Sequence, residues 1–297
     1  MLPGIQVPLF CLLFLALQQT LGLECGLVNL KAAPWSNQTA SKPPQKHDLI
    51  IGGEEPKKNE IPWVVVLYLD DNYFTCTGSL IAPNYVLTAH HCVSNLPRPI
   101  NGVYVGYGSV VKKQMRKVKV ANIFDHPWAD ISVLELSQGI HKTPVCLPKM
   151  YNSECQLEKN MVVAGFGEHV GADFDPDWLK NGTIFDARGD VPEFLLWTNI
   201  EQQDWTKCEY SYQKSEFCAG GLSRGVMHGD SGGPVMKVEA KRVVQIGITS
   251  RGVDYAVNHR VFQNEIYVNV GYHAKWIDWV TRGTAQFRSI YDPCNVS

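Results

Sequence analysis

The stretch Met227-His228-Gly229-Asp230-Ser231-Gly232-Gly233-Pro234 sets a serine in a tight glycine turn. Such a turn exposes the hydroxyl and lets backbone N–H groups converge on one point, which is what holding a developing oxyanion requires. A serine hydroxyl is a poor nucleophile until a neutral imidazole takes its proton. The imidazole in turn needs a buried carboxylate to fix its tautomer and stabilise the cation. Upstream, Thr88-Ala89-His90-His91-Cys92 places histidines beside a cysteine just after an apolar strand, and Ala129-Asp130-Ile131-Ser132-Val133-Leu134 places an acid at the head of another. The three residue types needed for nucleophilic acyl transfer are therefore present in suitable settings.

Short β-rich runs surround these segments, separated by Gly, Pro, Asn and Asp. They are Trp63 to Leu69, Ser79 to Ile81, Tyr85 to Thr88, Val103 to Val105, Val118 to Ile123, Ile131 to Leu136, Met161 to Ala164, Val243 to Thr249 and Ile266 to Val270. Many short strands with turn punctuation predict an all-β sandwich or barrels. One helix is predicted late, from Tyr272 to Arg282, with Ala274, Trp276, Ile277 and Val280 on a broad apolar face. The 297 residues hold one large domain or two modest ones, and an apolar fraction of 45% suffices for a substantial core. With 27 basic and 29 acidic residues the net charge is −2, which removes the electrostatic case for a nucleic-acid binder.

Val7 to Leu17 is apolar but too short to span a bilayer, and the small residues Thr20 and Gly22 suit signal-peptidase cleavage. Residues 1–22 are read as a signal peptide, a single-pass anchor being the alternative. Its removal takes away Cys11 and leaves eight of the nine cysteines, an even number that fits an oxidising compartment. Sequons at Asn37, Asn181 and Asn295 fit the same secreted, extracellular location. Residues 23–49 are polar and Pro-rich without a sustained period, and read as a linker or pro-segment.

The blocks around His91, Asp130 and Ser231 resemble the secreted chymotrypsin/trypsin-type serine proteases, over roughly Ile50 to Val280. The resemblance implies two antiparallel six-stranded Greek-key β-barrels with a C-terminal helix, a protease domain over 50–283 and a tail over 284–297. By the same resemblance His91 is the general base, with His90 its rival, Asp130 the orienting acid and Ser231 the nucleophile. The N–H groups of Gly229 and Ser231 are the oxyanion donors. Ser250 supports the acid, and the Ser250-Arg251-Gly252 segment pairs with substrate main chain.

Ile50-Ile51-Gly52-Gly53 resembles the new N-terminus such enzymes acquire when a zymogen is cut, the Ile50 ammonium pairing with Asp230. Leu49 before the cut replaces the usual Arg or Lys, implying a chymotrypsin-like or elastase-like activator. The alternative is an apolar strand in an uncleaved chain. The resemblance also implies disulfides Cys76–Cys92, Cys208–Cys218, Cys25–Cys146 and Cys155–Cys294, with the exchange of Cys25–Cys294 and Cys146–Cys155 open. Met227 and Lys237 stand where the family usually has cysteines, so two common bridges are absent.

At the specificity pocket the trypsin-like acid position is Gly225, whereas Glu265 falls where most relatives have a glycine. If Glu265 lines the pocket, the expectation is Phe, Tyr or Leu with tolerance of Lys or Arg. If it points to solvent, a plain chymotrypsin-like pocket remains. The run Lys112 to Lys119 reads as the solvated face of a strand in preference to an exosite, and Arg188-Gly189-Asp190 as a chance match to an adhesion tripeptide. The Glu168 to Asp190 stretch is a long polar insertion.

The expected function is a secreted serine endopeptidase made as a zymogen, of chymotrypsin-like or mixed specificity. The alternative is a catalytically silent homologue that binds partners. No cofactor and no metal are expected, since no cluster has metal-ligand spacing. Expected partners are protein or peptide substrates, an activating protease and protein protease inhibitors, with no nucleic acid, and no membrane after signal removal.

Overall fold

In the computed structural model the described residues are 24–32, 35, 53–70, 73–96, 99–154, 158–168, 192–208, 214–222, 224–257 and 260–291. Six strands form the first barrel. They are β1 (Val64–Leu69), β2 (Tyr73–Ala82), β3 (Tyr85–Thr88), β4 (Val103–Tyr107), β5 (Arg116–Asp125) and β6 (Ser132–Leu136). They close in the order β1-β2-β3-β6-β5-β4, every pair antiparallel. The aliphatic run of β1 is buried on both faces, whereas β5 alternates, with Val118 and Val120 inward and Lys119 outward.

The second barrel is built from β8 (Met161–Gly165), β9 (Leu196–Gln202), β10 (Glu216–Leu222), β11 (Pro234–Glu239), β12 (Arg242–Val257) and β13 (Arg260–Asn269), again antiparallel and closed in the order β10-β13-β12-β11-β8-β9. Closure leaves neither sheet an open edge. The helix α1 (Ala274–Val280) follows, burying Ala274, Ile277 and Val280. The two six-stranded antiparallel barrels and the C-terminal helix are those the family resemblance implied. Of the twelve barrel strands, three, β9, β10 and β11, were missing from the runs read off the sequence.

One continuous apolar core joins the barrels. It contains Leu67, Leu87 and Ile131 of the first barrel together with Phe166, Met236 and Ile248 from the second. Trp63 is fully buried at the junction, its Nε1 donating to Met236 Sδ at 3.0 Å, and Ser79 Oγ donates across to Gln245 Oε1 at 2.6 Å. Truncating Trp63 to alanine would cost on the order of 3–5 kcal/mol. Seating the barrels this firmly matters because the expected site draws residues from both.

The polar N-terminal segment docks on both barrels. Cys25 is disulfide-bonded to Cys146, Gly26 N donates to Pro144 O at 2.8 Å, and Arg242 Nη1 donates to Cys25 O at 3.0 Å. Ten residues on, Trp35 is buried, its ring 6.1 Å from that of Trp63 and its Nε1 donating to Glu60 O at 3.0 Å. At the other end, the expected polar tail begins with β14 (Phe287–Arg288), paired in parallel with β7 (Leu147–Pro148). Disulfides also join Cys76 to Cys92 and Cys208 to Cys218. Residues 1–22, Asn37, Leu49, Ile50, Cys155, Asn181, Arg188 to Asp190, Cys294 and Asn295 lie outside the described residues, as does the insertion beyond Glu168. Among the described residues no helix is long and apolar enough to cross a membrane.

Candidate active site

Strand pairing brings the histidine and the acid together. β3 and β6 run antiparallel with Thr88 opposite Ser132, so the residues just after β3 and just before β6 meet at one end of the first barrel. The first of these is His91, in the single 3-10 turn His90–Cys92 tied to β2 by the Cys76–Cys92 disulfide, and the second is Asp130. Asp130 accepts from His91 N at 2.8 Å, and its Oδ2 lies 2.8 Å from His91 Nδ1 and accepts from Ser250 Oγ at 2.6 Å. A carboxylate only accepts, so this geometry puts the ring proton on Nδ1 and leaves Nε2 free to take one. Burial works to raise the Asp130 carboxyl, but the hydrogen bond and charge of His91, with the Ser250 hydroxyl, outweigh it and hold it below the ordinary carboxylate range.

The rival His90 is turned elsewhere. Its Nδ1 sits 3.2 Å from Asp125 Oδ1, which also accepts from Ser132 Oγ at 2.7 Å. His91, not His90, lines the cleft that Ser231 also faces.

The turn that carries Ser231 is locked from behind. Ser231 O accepts from Thr77 N at 3.0 Å, and Thr77 Oγ1 donates to Gly229 O at 2.9 Å, so β2 of the first barrel holds the turn of the second. Gly232 has φ +80°, and a Cβ there would lie 2.1 Å from Thr88 Oγ1, which leaves room for glycine alone. His228 O accepts from Glu168 N at 2.6 Å. Across a trans peptide the carbonyl and the next N–H point oppositely, so the Gly229 N–H is directed away from Glu168.

Asp230 is fully buried and has a different environment from Asp130. It accepts from Gly167 N at 2.7 Å and Met227 N at 2.9 Å. Burial pushes its pKa up to about 6, against the lowering effect of these amides and of the Lys112 charge.

The cleft encloses about 310 Å³ and is lined by His91, Val226, Met227, His228, Ser231, Thr249, Ser250, Arg251, Gly252 and Glu265. Gly225 is not among these residues; its neighbour Val226 is. Glu265 is only 3% exposed and stands opposite Gly252, its carboxylate oxygens 2.6 and 2.8 Å from where a Gly252 Cβ would be. The reading that Glu265 points to solvent is therefore wrong, because β12 and β13 pair directly across this position. Arg251 forms a bidentate pair with Glu216, both bonds 2.8 Å. Lys237, at a position where the family usually has cysteine, instead pairs with Glu158 and Glu239.

Cys76, His91 and Cys92 are close enough together for a metal, but the two sulfurs are bonded to each other and cannot serve as thiolate ligands. Sequence reasoning missed Thr77, whose side chain bridges Gly229 O and Phe166 N, and Lys112, whose ammonium is buried beside the turn. Lys112 precedes the half-buried Met115 by three residues in a short helical turn, a spacing that puts both on one side.

Double barrels meeting at a cleft that holds a histidine–aspartate pair and a glycine-flanked serine define the architecture of a serine protease. The Trypsin family profile matches residues 50–277, and the chain belongs to that family of serine proteases. The curated protein "Serine protease grass" of Drosophila melanogaster is 28% identical over 267 residues, covering 77% of this chain and 66% of its own length, just under two thirds of that relative. The solved structure of mouse neuropsin, described as a serine protease expressed in the limbic system of mouse brain, shares the fold. Its TM-score is 0.60 at 21% identity, covering 77% of this chain and 98% of the mouse chain.

Proposed function

We propose that this chain is a secreted serine endopeptidase made as a zymogen, with Ser231 as nucleophile, His91 as general base and Asp130 as its orienting acid. The observation that carries this reading is the Ser250–Asp130–His91 hydrogen-bond chain ending at the cleft that Ser231 lines. In the reaction Ser231 Oγ attacks a peptide carbonyl while His91 Nε2 takes its proton. The imidazolium, stabilised by Asp130, then protonates the leaving amine. The tetrahedral oxyanion is held by the N–H groups of Gly229 and Ser231, and the direction of the Gly229 N–H supports this role. Water, activated by His91, releases the acyl group.

Activation is cleavage of the Leu49–Ile50 bond, after which the Ile50 ammonium pairs with Asp230. A fully buried aspartate whose pKa stands near 6 gains from a cation, and this supports the assignment. The apolar leader and the disulfides support secretion. For specificity, Glu265 in a cleft with Val226 and Met227 favours large apolar side chains with acceptance of Lys or Arg.

The test is labelling of Ser231 by a fluorophosphonate before and after a cut at Ile50. Strong labelling of the cut form is expected. No labelling of the cut form would leave the protein a binding homologue and overturn the enzymatic reading.

A further inference from the structure

Lys112 does not behave as a solvated lysine. Its neighbours in the basic run, Lys113, Arg116 and Lys119, are exposed, but its own Nζ is buried and has no hydrogen-bond acceptor. The backbone on either side is pinned: Lys112 N donates to Glu193 O at 2.8 Å, and Val111 bridges to Phe194. The side chain therefore cannot swing out without losing the stacking of its ammonium on aromatic rings, 4.0 Å from the centroid of Phe74 and 5.9 Å from that of Phe166.

Those two rings form the back wall of the nucleophile turn. The edge of Phe74 fills the space beside Gly229, 2.7 Å from where a Cβ would stand. Phe166 precedes Gly167, whose N–H binds Asp230 Oδ1. Among the described residues, the other charges acting on Lys112 and Asp230 across this wall are Glu193 and Glu168, each with a buried oxygen that has no partner of its own, while the other Glu193 oxygen pairs with Lys113 at 3.2 Å.

We propose that the Lys112 ammonium is an internal counter-charge to Asp230, a positioning group that holds the Met227–Ser231 turn in its oxyanion-binding shape before any cut at Leu49–Ile50. This rests on the protease reading above and adds to it a basal activity of the uncut chain. The freed Ile50 amine pairs with Asp230 directly and activates far more strongly. Lys112 acts at longer range through the aromatic wall, so the uncut chain is slow but not silent.

Lysine keeps this role only while protonated, and burial brings its pKa down to about 8, against the raising effect of Glu193 and Asp230. Arginine keeps its charge throughout the accessible range.

The experiment uses the full chain made uncleavable by Leu49→Pro, with the cut wild-type chain beside it. A fluorophosphonate reports on the turn, because Ser231 Oγ displaces fluoride from phosphorus to form a phosphonate ester, the hydroxyl proton passing to His91. The uncut chain should label above a Ser231→Ala control and should lose labelling as pH rises through about 8. Lys112→Met, which keeps the apolar stem, should lower labelling of the uncut chain at least tenfold and that of the cut chain less than threefold. Lys112→Arg should restore labelling and remove the alkaline limb.

The proposal is overturned if the uncut chain does not label while the cut chain does, if Lys112→Met slows both forms equally, or if the alkaline limb survives in Lys112→Arg. The pH profile of the uncut Leu49→Pro chain decides even if Lys112→Met fails to fold, since labelling that does not fall as pH rises through about 8 also overturns the proposal. Absence of labelling in the cut chain strikes instead at the protease reading.

Discussion

Asp130 of the first barrel and Asp230 of the second are the same residue under opposite pressures. Asp230 is fully buried and Asp130 partly so, and burial disfavours the charge of each. Asp130 is met by an imidazole, a hydroxyl and an amide, and its carboxyl is driven below the ordinary range. Asp230 is met by two amides and one distant ammonium, and its carboxyl is pushed up to about 6. The difference teaches that burial alone does not set the charge of a carboxyl; the number and closeness of its donors do. One aspartate has all the partners it needs in the folded chain, and the other is left short of one cation.

The contrast can be broken most forcefully at Asp130. Asp130→Asn leaves an amide where the imidazole needs an acceptor, so the tautomer is no longer fixed, and kcat of the cut enzyme should fall by about 10⁴-fold with the fold intact. A drop below tenfold would mean that the His91–Asp130 pair is structural. At Asp230 the expected loss is smaller. With Asp230→Asn the amine freed at Ile50 is left uncompensated, and at roughly 3–5 kcal/mol for a broken buried pair the cut enzyme should lose about 10²-fold to 5 × 10³-fold in labelling rate. Near-normal turnover of that variant would remove Asp230 from activation.

Stability against pH sharpens the same comparison without catalysis. In an uncut Ser231→Ala chain, Asp230 has a folded pKa near 6, above the unfolded value of about 3.9. Its contribution is therefore complete below pH 4 and lost as pH rises through 6. Asp130 has the opposite sign, contributing above pH 4 and losing that contribution as pH falls. Denaturant titrations should show the parent losing about 3 kcal/mol relative to Asp230→Asn between pH 4 and 7. A difference independent of pH would show that Asp230 is already ionised throughout.

The smallest effect is at the cleft floor. Glu265→Gly should reduce the ratio of kcat/KM on a Lys substrate to that on a matched Phe substrate by about tenfold, because the carboxylate that favours a substrate cation is gone. An unchanged ratio would mean that buried Glu265 is satisfied within the protein.

How much of this was legible in the sequence varied with the kind of signal. Tyr85–Thr88 and Ser132–Leu136 could be read because apolar runs are bounded by turn residues, and their pairing explains why His91 and Asp130 meet. Pro234–Glu239 escaped because its first residue is a proline after a glycine turn, a position that strands tolerate at their start. Glu216–Leu222 is interrupted by Gly220 and Gly221, and the extension of Arg242–Val257 past Thr249 runs through serine, glycine and charged residues, so no alternation marked either. The site residues His91, Asp130 and Ser231 sit in motifs that announce themselves locally. Lys112 does not, since the difference between a solvated lysine and a buried one lies in Phe74 and Phe166, tens of residues away in sequence.

The docked N-terminal segment has a consequence for the history of each molecule. Before a cut, Cys25 and Trp35 belong to the same chain as the barrels they join, so finding their places again would be an intramolecular search. After a cut at Leu49–Ile50, Cys25–Cys146 would be the sole covalent tie to that segment through the described residues. Reduction would then separate two polypeptides, and finding Trp63 again would become a bimolecular search, without the millimolar effective concentration that a short linker supplies. The instructions for folding would be divided between two strands of peptide, so that a mature molecule, once reduced and unfolded, could not recover what its precursor recovers unaided.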